Sequence, residues 1–144
     1  MNYKPILIVA GEPNSIFSEI FFKTLQKEKY KSPLIIIGSF KVLCLQMKKL
    51  NFMKKFFKID LKKFNLSKIS NKSINIIDVN YKQSKAFDKI SNKSKTYINN
   101  CYQIALNLIS QGFSNKLLTG PISKKDFLNK RHLGITEYLA DQTK

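Results

Sequence analysis

Thr119, Gly120, Lys124 and Thr136 are the residues of this 144-residue chain whose types and spacing suit chemistry on an anion. They fall in one stretch, Lys116 to Asp141. Leu117 and Leu118 read as the close of a short buried strand. Thr119-Gly120-Pro121 then forms a tight turn at its carboxyl end, and Ser123 is the N-cap of a helix that begins near Lys124. In parallel α/β sheets ligands gather outside the carboxyl ends of the strands, where a glycine admits close backbone approach and a helix start offers unpaired N–H groups. Lys124 adds positive charge at the same edge. Gly134 breaks the chain again before Glu137-Tyr138-Leu139-Ala140, which reads as helical, so Thr136 and Glu137 stand at a second helix start. The two junctions could converge on one ligand. The plainer alternative is an ordinary strand-to-helix connection with a Gly-Pro turn.

Positioning these residues is the task of the preceding elements. Pro5 to Ala10 is a continuous apolar run bounded by a proline and Gly11, as expected of a buried parallel strand. The loop Gly11 to Ser15 follows, then a helix from about Ser15 to Lys29. Glu12 could orient a ligand at the strand end or simply solvate the loop, and both readings stay open. Leu34 to Ile37 is a second buried strand ending at Gly38, and Ser39 caps a helix running to about Leu50. Repetition of strand, small-residue loop and helix is the βαβ pattern of a mostly parallel sheet with flanking helices. Ile74 to Val79 is a further strand, and Thr96 to Gln111 a helix stopped by Gly112. Phe52, Phe56, Phe57 and Phe64 read as anchors for a lysine-rich excursion, without the spacing of a base-stacking platform.

Two segments carry a family resemblance. Thr119-Gly120-Pro121-Ile122-Ser123-Lys124, followed by Gly134-Ile135-Thr136-Glu137-Tyr138-Leu139-Ala140, resembles the paired motif of the 4-hydroxythreonine-4-phosphate dehydrogenase family. Gly11-Glu12-Pro13-Asn14-Ser15-Ile16 with Glu19 is similar to that family's opening Gly-Asp-Pro-Ala-Gly-Ile-Gly-Pro-Glu segment. The order and distance of the matches suit the family's N-terminal portion. The resemblance implies an isocitrate/isopropylmalate dehydrogenase-like two-subdomain α/β fold, of which residues 1–144 form the N-terminal part. It also implies NAD and a divalent metal of the zinc, magnesium or cobalt class as cofactors, a phosphorylated small-molecule substrate that is oxidised and decarboxylated toward pyridoxal phosphate, and a homodimer. On the motif, Thr136 keeps the family's substrate threonine, and Lys124 with the Thr119-Gly120 turn joins it in the pocket. Ile135 stands where the family has a substrate histidine, and an isoleucine neither donates a hydrogen bond nor titrates.

Composition narrows the rest. The apolar fraction of 43% supports one ordinary core, and no apolar run reaches the length of a membrane span or resembles a secretory signal, so a cytoplasmic address is expected. Cys44 and Cys101 lack CxxC spacing and read as buried small residues. A net charge of +17 would suit nucleic acid, but of 26 basic residues Arg131 alone is an arginine. Scattered lysines beside abundant Asn and Ile fit a compositional bias instead, so nucleic acid is not the expected partner. Neither strand is followed by a glycine triplet of the dinucleotide-binding kind. His132 is the sole histidine, and one imidazole makes no metal site without partners beside it. The family's metal-binding histidines and most of its NAD contacts come after the Thr136 motif, so this chain alone is expected to be inactive. The competing reading is a stand-alone basic α/β module that binds nucleic acid or phosphorylated metabolites without catalysis.

Overall fold

A computed structural model describes residues 3–27, 29–63, 69–128 and 131–144. Phe64 lies outside them. The elements run β1 (Ile6–Val9), α1 (Phe17–Lys27), β2 (Leu34–Gly38), α2 (Phe40–Lys49), β3 (Phe56–Lys58), β4 (Ile74–Asp78), α3 (Lys95–Ser110), β5 (Leu117–Thr119) and α4 (Ile135–Gln142). A short 3-10 turn, Asn92–Ser94, leads into α3, and a single π-helical turn, Lys124–Leu128, lies between β5 and α4.

All five strands are parallel, in the order β3-β4-β2-β1-β5. Alternation along the strands divides the core. Leu7, Val9, Ile35, Ile37 and Ile77 face one way, onto Ile98, Cys101, Tyr102, Ala105 and Leu108 of α3. Ile8, Ile36, Ile74 and Ile76 face the other, onto Phe21 and Phe22 of α1 and Leu43 and Met47 of α2. Both faces of the central strands are covered, which is why β1 and β2 read as unbroken apolar runs. From β1 the chain goes through α1 to β2 on one side, and α3 later brings it back to β5 on the opposite side. The direction of winding therefore reverses at β1, which makes the carboxyl ends of β1 and β5 the switch point of the sheet, the place where ligands gather in open α/β folds.

Several expectations need correction. β5 is the sheet's edge rather than a buried strand, and Leu118 is 56% exposed, because nothing among the described residues pairs with its outer side. Phe56 and Phe57 are not merely anchors: they form β3, pairing with Ile74 and Asn75. Ser123 does cap, its Oγ accepting from the Asp126 N–H at 3.1 Å, but it opens one π-helical turn instead of an α-helix. α1 begins at Phe17 and ends at Lys27, since the chain must leave helical geometry ahead of Pro33 to enter β2. Among the described residues no helix is long and apolar enough to cross a membrane.

Candidate functional site at the β1/β5 crevice

Gly11 and Gly120 let the two strand ends cross in contact. The Gly120 N–H donates to the Val9 carbonyl at 2.7 Å and the Glu12 N–H to the Pro121 carbonyl at 2.8 Å. A Cβ on Gly120 would collide with the Ala10 carbonyl and one on Gly11 with the Pro121 carbonyl, while Gly11 also holds a left-handed φ of 74°. This fixes the loop after β1 against the turn after β5. Thr119 is exposed at the mouth, Gly120 is buried, and Lys124 is exposed at the first position of the π-helical turn.

Helix α4 supplies the second wall. Buried Tyr138 packs edge-on to Phe127 with ring centroids 5.1 Å apart and to Tyr102 at 5.6 Å, and its hydroxyl donates to Asn99 Oδ1 at 2.6 Å. The aromatic contact joins α4 to the Lys124–Leu128 turn, so the two junctions expected from sequence are neighbours. Their polar residues are not bonded to one another: Thr136 and Lys124 are exposed, and neither side chain has a hydrogen bond or ion pair among the described residues. Ile135 is half-buried against the α3-side core, a structural use of that side chain. His132 does not replace an imidazole there. Its ring lies edge-on to Tyr138 at 5.7 Å and its Nε2 is 3.4 Å from Asp141 Oδ2, toward the far end of α4. That bond, then Lys144, holds the Asp141 carboxyl below its usual range.

The helix starts differ in what they leave open. At α2, the Ser39 N–H donates to Tyr97 Oη, the Phe40 N–H to Asp78 Oδ1 and the Val42 N–H to Ser39 Oγ. At α1 the Phe17 N–H donates to Ser15 Oγ. At α4 the N-cap is Gly134, with no side-chain cap, so the N–H groups of residues 135–137 have no bond among the described residues, and the Glu137 carboxylate stands beside Gly134 at the same end. With its donors taken and no glycine triplet, the β2/α2 junction does not fit a dinucleotide pyrophosphate. A metal does not fit either. Among the described residues no group of three or more His, Cys, Asp or Glu side chains could hold one.

Glu12 does not solvate its loop. It is 2% exposed, and its carboxylate accepts from Ser94 Oγ at 2.6 Å and from the Asn14 N–H at 3.4 Å. Burial pushes this carboxyl above its ordinary value of 4.5; the bonds from Ser94 and Asn14 oppose the push and nearby Asp126 adds to it. Because the neutral form is favoured in the fold, this contribution to stability is complete below the ordinary carboxyl range and is lost as pH rises through the raised value. Glu12→Gln is therefore expected to raise the urea midpoint at pH 7, with the gain vanishing as pH falls below 4.5. A gain of the same size at both ends would show that the charge is not its source. Asp126 and Ser94 were not singled out by sequence. Ser123-x-x-Asp126 has the spacing of a helix cap and was the available signal; the structure forms its first half, the Asp126 N–H donating to Ser123 Oγ, while the Ser123 hydroxyl donates to the Asp126 carboxylate. Ser94 had none, since its partner lies 82 residues away.

Comparison with known proteins gives the arrangement its context. A search of curated proteins by sequence finds no match. By structure, the chain is similar to a putative 4-hydroxythreonine-4-phosphate dehydrogenase from Salmonella typhimurium, at TM-score 0.78 and 23% identity over 96% of this chain. The corresponding dehydrogenase structures from Burkholderia phymatum (0.79, 21%, 97%) and Klebsiella pneumoniae (0.78, 23%, 96%) are similar to it to the same degree. It covers 44% of each of those chains, less than half their length. Residues 29–144 match the family described as pyridoxal phosphate biosynthetic protein PdxA, and since that span holds four of the five strands and the whole Thr119 to Ala140 motif, this chain belongs to that family.

Proposed function

We propose that the chain is the N-terminal part of a single α/β oxidoreductase similar to 4-hydroxythreonine-4-phosphate dehydrogenase, and that it carries part of the pocket for a phosphorylated hydroxy amino acid. The observation that supports this most directly is the uncapped start of α4 beside Thr136, set by the Tyr138–Phe127 contact next to the turn that bears Lys124. In this reading the unbonded N–H groups and the Thr136 hydroxyl donate to anionic oxygens of the substrate, and Lys124 supplies opposite charge. The Gly11/Gly120 crossing holds the Thr119-Gly120 turn still while they do so. NAD as hydride acceptor, a divalent metal assisting decarboxylation, a homodimer and a cytoplasmic setting complete the proposal. Among the described residues no group fits the metal and the β2/α2 junction does not fit a dinucleotide, so in this reading the contacts to both come mainly from other parts of the protein.

Titration of the 15N-labelled chain with 4-phosphooxy-L-threonine tests the pocket. Amide shifts are expected at Gly120, Lys124 and Thr136, and Thr136→Val is expected to weaken binding by about 0.5–3 kcal/mol, according to the charge on the oxygen it meets. Unchanged affinity in that variant removes Thr136 from the pocket. The 144-residue chain mixed with substrate, NAD and magnesium or zinc is expected to give no absorbance of NADH. Metal-dependent NADH formation would overturn the assignment of the cofactor contacts to other residues.

A further inference from the structure

Among the described residues, Glu12 is the only charged side chain in the interior, and it has no cation beside it in a chain of net charge +17. The groups that face it come from every element around the crevice. Ser94 donates from the 3-10 turn, Asn14 from its own loop, Tyr97 of α3 and Tyr81 of the β4–α3 connection feel its charge, and Asp126 acts from the Lys124–Leu128 turn. None is a lysine, arginine or histidine. Its main-chain N–H is bonded to the Pro121 carbonyl, and a Cβ on the preceding Gly11 would strike that same carbonyl, so residue 12 is tied directly to the turn that follows Thr119.

A buried acid without a counter-ion is sensitive to any further negative charge, because little solvent lies between the two to screen them. Asp126, a carboxylate on that same turn, already acts on Glu12 from this direction. A ligand dianion held by the turn would add to the same field. We propose that anion binding on the Thr119–Lys124 turn and protonation of Glu12 are one linked event, so that the site takes up a proton at Glu12 as it fills. The inference rests on the reading of the turn as an anion site. By reciprocity, whatever factor the anion contributes to protonation, protonation returns to anion affinity. Protonation leaves both contacts possible, since Oε1 still accepts from the Asn14 N–H while a proton on Oε2 is donated to Ser94 Oγ, whose own hydrogen then goes to the Ser91 carbonyl.

Sulfate is the suitable probe, because it carries two charges without titrating near neutrality. The 15N-labelled chain would be titrated with sodium sulfate from pH 7.5 to 4.5 against sodium chloride of equal ionic strength, reading the Gly120 and Thr136 amides. Runs are made in His132→Gln backgrounds to remove the one imidazole. Affinity is expected to rise with falling pH about fivefold more than in Glu12→Gln, at the lower end of ordinary site-to-site couplings. Glu12→Gln should bind at neutral pH as the wild-type residue does at low pH. Independently of any variant, the 13C titration of the Glu12 carboxyl should move to higher pH when sulfate saturates the turn. Localised sulfate binding with an unmoved Glu12 titration, or with the same pH dependence in Glu12→Gln, overturns the linkage and leaves the anion site standing. No localised shift at Gly120 or Thr136 overturns the anion site, and the linkage with it.

Discussion

Gly11→Ala is expected to cost this protein about 2–5 kcal/mol, as the sum of backbone strain and collision. The left-handed φ of 74° alone costs an L-residue about 1–2 kcal/mol. Forcing the methyl against the Pro121 carbonyl and the Gly120 carbon adds about 1–3 kcal/mol, since both are backbone and cannot rotate aside. Gly112 is the internal control. It has nearly the same φ, 72°, but an added Cβ there meets no atom within 4 Å, so Gly112→Ala should show the backbone cost only. Urea unfolding of the two variants separates strain from collision. Equal losses would mean that the crossing of β1 and β5 yields more easily than its hydrogen bonds indicate.

Tyr138→Ala is expected to be the second large effect, about 3–5 kcal/mol, as for other large aromatic truncations in a core. Its consequence reaches beyond stability. Tyr138 is the contact that docks α4 on Phe127 and Tyr102, so its loss should free the start of α4 and erase amide protection across residues 138–142. Tyr138→Phe keeps the ring contacts and loses the bond to Asn99, for about 1 kcal/mol. Hydrogen exchange on the pair distinguishes docking from hydrogen bonding. Retained protection of α4 in Tyr138→Ala would show that another contact holds the helix.

The interior was the easiest part to read from sequence. β1, β2 and β4 are buried on both faces and therefore print as apolar runs, and α3 prints as a helical stripe ended by Gly112. Edges are harder, because an edge strand needs few apolar residues. β3 is three residues long, flanked by lysines, and only Phe56 is even half-buried, so its pairing with β4 leaves no local mark. Leu117-Leu118 carries the opposite difficulty: two leucines suggest burial, yet Leu118 lies on the open side of the sheet. The candidate site was legible where it depends on glycine and a helix start, at Gly120, Lys124 and Thr136. Glu12 was not, since two readings of a charged loop residue were open and its bond from Ser94 and the field of Asp126 reach it only through the tertiary fold.

The place of β5 also sets an order of events in time. β1 leaves the ribosome long before β5, yet its outer side waits for Leu117–Thr119, and the Ser114 hydroxyl that donates to the Pro5 carbonyl stands 109 residues downstream. β1, β2 and β4 can assemble earlier, with α1 and α2 covering one face. Closing so long a loop is entropically costly and tends to be slow, so β5 is expected to arrive late. Until then the nascent sheet exposes the β1 edge, a template for pairing with another chain. Pairing of β5 and formation of the Gly11/Gly120 crossing are thus one step, and a polypeptide halted before Leu117 would have most of this core and no crossing.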